Sequence, residues 1–376
     1  MNNLVLYRKY RPQGFSEIIG QEHIVTTLKN SIESGAVSHA YLFTGPRGSG
    51  KTTMARIFAK AINCLKPVNF GPCNTCDSCT EIMASNAMDL IEIDAASHTG
   101  VDEVRELISG IKFSPVKSKY KIFIIDECHQ LSKAAANALL KTLEEPPAHA
   151  IFMLATTEAH KMISTIISRC QRFDFKRLHS NQIIEKLKYI LKKEDVAYEE
   201  SALNVIALNA RGSFRDAESL LDKCINFSSG KLKTQDIKDL LGIVEVGQIS
   251  KFIDFIIPLS GTQTPPSGVV RTKEAILYIN QMANEGVDLQ EFTKTLVFYL
   301  RHALMVKINP DFLKNDSAGL SAEEVEIMKT QITGLGIKDL QQMLEKFIEA
   351  EQKMKYATIL QLPLELAVVD ITHKES

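Results

Sequence analysis

The run Gly45-Pro46-Arg47-Gly48-Ser49-Gly50-Lys51-Thr52, followed by Thr53, has the spacing G-x-x-x-x-G-K-[ST]. Residues of these types in this order cradle phosphates. Glycines let the backbone curl until successive N–H groups face inward on an anion. Lys51 brings a point charge to the outer phosphates, and the Thr52 hydroxyl is a ligand for magnesium. Further on, the apolar run Ile122-Phe123-Ile124-Ile125 ends in Asp126-Glu127. Ligands of parallel sheets gather at the carboxyl ends of strands. Asp126 is thereby expected beside the phosphate loop, holding magnesium directly or through water. Glu127, one residue on, is expected to polarise the water that attacks the γ-phosphate.

Other residues add to this set. Thr156 and Thr157 end the next apolar run, where a hydroxyl can sense the γ-phosphate or orient water; Thr157 is the better placed. Ser213 is a candidate cap for a helix that then holds Arg215 in its first turn. A cation there opposes the helix dipole, so Arg215 is expected to have a partner elsewhere, such as a phosphate. Arg169, in Ser168-Arg169-Cys170, reads by itself as a surface residue whose relevance depends on a neighbouring subunit. Cys64, Cys73, Cys76 and Cys79 form C-x8-C-x2-C-x2-C, with Gly71, Pro72, Asn74 and Asp77 supplying turns. Four thiolates so spaced suit a closed tetrahedral zinc site, with reduced thiols or an iron–sulfur cluster as the alternatives. Cys128, Cys170 and Cys224 stand apart and read as small buried hydrophobes.

These residues need a scaffold. Ala40-Tyr41-Leu42-Phe43 precedes the phosphate loop as a short apolar strand, and Met54, Ile57, Phe58 and Ala61 follow it at helical spacing. Further strands are expected at Leu90–Ile93, Ile122–Ile125, Ile151–Leu154 and, more weakly, Phe173–Phe175. Helices at Val101 to about Lys112, Lys133 to Glu145 and Ala159 to about Ile167 separate them, the second capped by Ser132 and stopped by Pro146-Pro147. Alternation of this kind predicts a mostly parallel sheet with helices on both faces. After Lys176 the pattern turns helical. The expected domains are an α/β nucleotide-binding domain over 1–176 with a zinc module at 64–79, a small helical domain over 177–243, and an all-α domain over 244–376. Before the loop, Tyr7-Arg8-Lys9-Tyr10-Arg11-Pro12 reads as a solvated arm, or as a cover for the adenine and ribose.

The whole chain bounds what these motifs can mean. Its 376 residues exceed one small core, and 45% hydrophobic with 24% charged residues excludes a mostly disordered chain. With 44 basic against 45 acidic residues, nucleic-acid contact must come from a local patch. The N-terminus carries no signal-like apolar core and no apolar run approaches a membrane span, so a cytoplasmic chain with reduced or metal-bound cysteines is expected.

Together these residues resemble the gamma/tau clamp-loader subunits of bacterial DNA polymerase III, within the AAA+ ATPases. The resemblance is carried by Tyr7 to Pro12, Gly45 to Thr53, the four clustered cysteines, Asp94-Ala95-Ala96-Ser97 and Asp126-Glu127. It continues through Leu139 to Pro147, Ser168-Arg169-Cys170 and Gly212 to Ala217; the last third matches by length and helicity. Cys128 stands where the family commonly has valine and Lys223 where glutamine is frequent.

The resemblance implies an ATPase using ATP, magnesium and structural zinc. Tyr7, Arg11 and Pro12 would line the adenine pocket. Thr157 would be the sensor-1 residue, Arg215 the sensor-2 arginine acting in cis, and Arg169 the arginine finger reaching an adjacent subunit's nucleotide. Ser97 to Arg105, with Lys141, would face the chamber that grips primed DNA. The third domain would be the collar joining copies of this chain to the delta and delta-prime subunits. ATP binding would hold the sliding clamp open, and primed DNA would trigger hydrolysis. The chain would have no polymerase site of its own and would work at the replisome, meeting the polymerase core through a longer form. Its end at Ser376 resembles the short form. Weaker alternatives are a non-hydrolysing stator of the same complex, another AAA+ machine such as a branch-migration helicase, and a zinc-dependent DNA-binding protein regulated by ATP.

Overall fold

The computed structural model describes residues 4–97, 110, 111, 113–228, 230–241, 246–257, 268–310 and 322–373. They fall into two compact units, Met1–Leu232 and Lys233–Ser376. The first is built on five parallel strands, β1 (Ala40–Thr44), β2 (Leu90–Asp94), β3 (Lys121–Asp126), β4 (Ala150–Thr156) and β5 (Gln171–Asp174), in the order β2-β3-β4-β1-β5. The strength of each strand's sequence signal follows its place in the sheet. Central β1 and β4 are buried along their whole length, as continuous apolar runs should be. Edge strand β5 buries only Phe173 of its four residues, which accounts for its weak pattern.

Helices cover both faces, and two short ones, α1 (Leu6–Lys9) and α4 (Asp77–Met83), belong to the N-terminal segment and the cysteine module. One face packs under α2 (Glu22–Glu33) and α3 (Lys51–Ile62), where Ile24, Leu28, Met54 and Phe58 meet Tyr41, Phe43, Ile122 and Met153. Tyr41 and Phe58 pack edge to face with ring centres 4.9 Å apart, a geometry worth about 0.5–1.5 kcal/mol beyond the area buried. The other face takes α5 (Lys133–Glu144), whose Leu139 and Leu143 pack with Phe123, Phe152 and Leu154. As expected, the Ser132 side chain caps α5, accepting from the Ala135 N–H at 3.2 Å. The stretch expected as one helix over Ala159–Ile167 is instead a 3-10 turn at Ala159–Lys161 and a short α6 (Ser164–Ile167). The extended Met162 and Ile163 between them turn inward to pack on the core. The helix expected over 101–112 lies almost entirely outside the described residues.

The register aligns the carboxyl ends of the strands. Thr44 pairs with Thr156, and Asp94 with Asp126, so the loops after β1, β3 and β4 open on one edge. Beyond β5 come α7 (Ser180–Glu194), α8 (Glu200–Asn209) and α9 (Phe214–Phe227), with a two-residue pairing of Ala197-Tyr198 to Lys231-Leu232. The second unit is helical, with a core of Phe252, Ile279, Phe292, Leu296, Phe347 and Leu364. Among the described residues no helix is long and apolar enough to cross a membrane.

Candidate functional site

The phosphate loop runs from the end of β1 into α3, in the predicted order. Gly45, Gly48 and Gly50 have φ of 148°, 73° and 97°, a region that L side chains rarely adopt. At two of them glycine is also demanded by space. A Cβ on Gly45 would sit 2.6 Å from the Phe175 carbonyl oxygen, and one on Gly48 would sit 1.9 Å from Ser213 Oγ. The Phe214 N–H donates to the Gly48 carbonyl at 3.2 Å, so the first residue of α9 is fixed against the loop. Lys51, 6% exposed, donates from Nζ to the Gly45 and Pro46 carbonyls, both at 2.9 Å. Burial pushes its pKa down, while Glu127 and Asp126 oppose that shift.

The acidic strand end lies where the sequence predicts. Thr52 Oγ1 donates to Asp126 Oδ2 at 2.7 Å, although β3 is two strands away from β1. A hydroxyl and a carboxylate so paired are hard oxygen donors of the kind magnesium takes. Glu127 adopts φ 45° and ψ 42°, a left-handed conformation unusual for a non-glycine residue and common at functional sites. Its Oε2 accepts from the Thr157 N–H at 3.3 Å and from Thr157 Oγ1 at 3.0 Å. Thr157 thus bonds the candidate hydrolytic acid across the ends of neighbouring strands.

Sequence reading did not single out His129. Its ring, with the side chain 7% exposed, places Nδ1 2.9 Å from Thr156 Oγ1 and 3.4 Å from Glu127 Oε2, and Nε2 3.1 Å from Glu158 Oε2. It ties the turn after β3 to the segment leaving β4 through Thr156 and Glu158. Its position two residues after Glu127 was the available signal, but a lone histidine on a turn carries no spacing pattern.

A cavity of about 310 Å³ joins these groups to the N-terminal segment. Its wall includes Arg47 to Thr53, Asp126 and Glu127 together with Tyr7, Arg11, Pro12, Ile18 and Ile19. The segment over 7–12 is therefore packed, not a solvated arm. Lys186 Nζ donates to the Tyr10 carbonyl at 3.0 Å, and the Tyr10 hydroxyl donates to Glu194. Arg215 lines the same cavity, and its guanidinium lies 5.1 Å from the centre of the Tyr7 ring. Ser213 caps α9 as expected, accepting from the Asp216 N–H at 3.2 Å.

Arg169 is elsewhere. It is absent from the cavity wall, donates to the Thr165 carbonyl at 2.8 Å, and pairs with Glu144 of α5 at 2.7 Å on the surface. Lys141 is exposed on α5, and residues 98–105 lie outside the described residues. Cys128 and Cys224 are buried; Cys170 is half-buried against the same core as Cys128.

The four clustered cysteines do converge. Their Sγ atoms all lie within 4.8 Å of one another, with Cys64–Cys76 and Cys73–Cys79 each at 4.0 Å. A tetrahedral ion with Zn–S bonds of about 2.3 Å sets its ligands roughly 3.8 Å apart, so the cage fits such an ion. Backbone N–H groups of Cys73 and Cys76 donate at 3.3 Å to Cys64 Sγ and Cys73 Sγ, which favours thiolates. Lys60 Nζ anchors the module by donating to Asn74 Oδ1 at 2.8 Å and to the Gln13 carbonyl at 2.8 Å.

With this geometry in hand, comparison with known proteins places the chain. Residues 20–179 match the family model described as DNA polymerase III, delta subunit. Residues 182–230 match that of the DNA polymerase III clamp loader subunit, ATPase lid domain. The DNA polymerase III subunit tau of Bacillus subtilis is 42% identical over 99% of this chain and 63% of its own length. The tau subunit of Escherichia coli is 37% identical over 98% of this chain and 55% of its own. The gamma subunit of Buchnera aphidicola from Acyrthosiphon pisum is 41% identical over 80% of this chain and 81% of its own. This chain therefore spans between half and two thirds of the tau relatives' length.

Proposed function

The chain belongs to the gamma/tau subunits of bacterial DNA polymerase III, and on that basis we propose that it is an ATPase motor for loading the sliding clamp onto primed DNA. The observation that carries the reading is the convergence of Lys51, Thr52, Asp126 and Glu127 in the wall of a single cavity. In it, the loop amides and Lys51 bind the β- and γ-phosphates, and Thr52 and Asp126 hold magnesium. That ion supplies neutralisation of the phosphate charge. Glu127 takes the proton of the attacking water, and Thr157 holds its carboxylate. Arg215 contacts the nucleotide in cis.

Arg169, half-buried at the surface and outside the cavity, serves as the finger for a neighbouring copy's nucleotide. Its absence from its own site is what that role requires. The four cysteines hold zinc as a structural staple. We assign 1–176 to the ATP-binding domain, 177–243 to the lid and 244–376 to the collar. The collar joins further copies with the delta and delta-prime subunits, in the cytoplasm at the replisome. The ATPase rate, measured alone and then with primed DNA, clamp and both partner subunits, tests the reading. Slow turnover alone and strong stimulation by the complete set is expected; no stimulation would overturn it.

A further inference from the structure

Glu218 is out of place for a charged residue. It is 5% exposed, lies on α9, and contributes to the wall of the nucleotide cavity. No described residue donates a hydrogen bond to its carboxylate or forms an ion pair with it. Lys186, 9% exposed on α7, is near enough to act electrostatically, but its Nζ is directed to the Tyr10 carbonyl. Arg11, on the N-terminal segment, is the other cation that acts on it. Burial pushes the Glu218 carboxyl up to about 7, against the pull of both cations. Its oxygens are not sealed away in the core but open on the cavity, where a donor on a ligand can reach them.

Its position says which part of a ligand it would meet. Ser213, at the start of α9, abuts Gly48 of the phosphate loop. At about 1.5 Å rise per residue, Glu218 stands roughly 7.5 Å further along the helix from that contact. It shares a helix face with Arg215, three residues earlier, and both line the cavity. A nucleotide whose phosphates rest on Gly48 to Thr52 would bring its nucleoside, not its phosphates, alongside Glu218. Phosphates would be repelled by a carboxylate and offer no donor. The nucleoside offers donors of two kinds, the ribose hydroxyls and the exocyclic amine of adenine.

We propose that Glu218 is the acceptor for a hydrogen-bond donor on the nucleoside, and so helps determine which nucleoside triphosphate this chain accepts. The inference rests on the reading of the cavity as an ATP site.

The test is equilibrium binding of ATP, inosine triphosphate, 2′-deoxy-ATP and 3′-deoxy-ATP, with magnesium, to the full chain and to its Glu218→Leu and Glu218→Gln variants. Glu218→Leu should weaken ATP at least about tenfold, the scale of one charge-assisted hydrogen bond. Glu218→Gln, which keeps an acceptor oxygen, should lose less. One analogue should bind the wild type more weakly by a similar factor and be indifferent to Glu218→Leu, which identifies the amine or the hydroxyl as donor. Without nucleotide, Glu218→Leu should melt above the wild type, because an unpaired buried carboxylate is gone. Unchanged affinities and ratios across the four nucleotides would overturn the proposal, as would a lower melting temperature, the mark of a structural pairing with Lys186. If the wild type bound none of the nucleotides, the ATP reading itself would fall and this proposal with it; loss of the Glu218 effect alone leaves that reading standing.

Discussion

The Thr157 hydroxyl donates to Glu127 Oε2 at 3.0 Å, joining the ends of two adjacent strands at the mouth of the phosphate loop. The same oxygen lies 3.4 Å from the buried His129 ring. Glu127 is thus hydrogen-bonded by Thr157, with the His129 ring beside the same oxygen.

Removing the acid and removing its supports should differ. Glu127→Gln should retain ATP affinity and lower turnover by about 10²–10⁴, the usual worth of a positioned general base. Thr157→Val should lower kcat by a smaller factor, on the order of tenfold, because the carboxylate remains but loses one partner. Single-turnover hydrolysis beside equilibrium ATP binding checks both. Equal losses in the two variants would contradict the division of roles.

Gly48 is the tightest point between the loop and α9. Gly48→Ala combines a φ of 73° with a Cβ placed 1.9 Å from Ser213 Oγ. It should destabilise the chain by about 1–3 kcal/mol and weaken ATP binding, since the start of α9 must move. Gly50→Ala, strained at φ 97° but facing open space, should cost less. Urea denaturation of the two variants gives the comparison.

Arg169→Ala should abolish stimulation of the assembled complex by DNA, a trans arginine being worth on the order of 10³–10⁵ in rate. ATP affinity of the isolated chain should not change. Its ion pair with Glu144 is partly exposed, so stability should shift by less than about 1 kcal/mol. Full turnover of an assembly carrying the variant in every copy would remove Arg169 from the mechanism.

Zinc analysis of the purified chain should give one ion per chain. Cys73→Ser should lower that content and the melting temperature together, because the module is tied through Lys60 to α3 and Gln13. A variant as stable as the wild type, with well under one zinc in each, would sink the assignment.

Glu218 also makes stability depend on pH. Its pKa rises from 4.5 to about 7 on folding, so the folded chain holds this proton more tightly. The stabilisation is fully present below pH 4.5 and is lost as pH rises towards 7, by on the order of 1.4 kcal/mol per unit. The melting-temperature gain of Glu218→Gln over the wild type should therefore grow between about pH 5 and pH 8. A constant gain across that range would show that the carboxyl does not titrate as its burial dictates.

Much of the site could be read from the chain alone. The phosphate loop, the acids at the end of β3 and the cysteine cluster are each set by residues close in sequence. There, glycine freedom, a strand end or ligand spacing fixes local geometry whatever surrounds it. The strand–helix alternation likewise dictated a parallel sheet covered on both faces. Tertiary structure alone decided the rest, because burial and partnership depend on elements far apart in the chain. Sheet order brought Asp126 to Thr52, and the aligned ends of β3 and β4 brought Glu127 to Thr157. The packing of Tyr10 on α7 made a cavity wall of a segment whose residues alone read either as a solvated arm or as a cover for adenine and ribose. Glu218 has the pattern of any polar helix position; only the packing of α9 against the phosphate loop turns it inward, where no partner satisfies it.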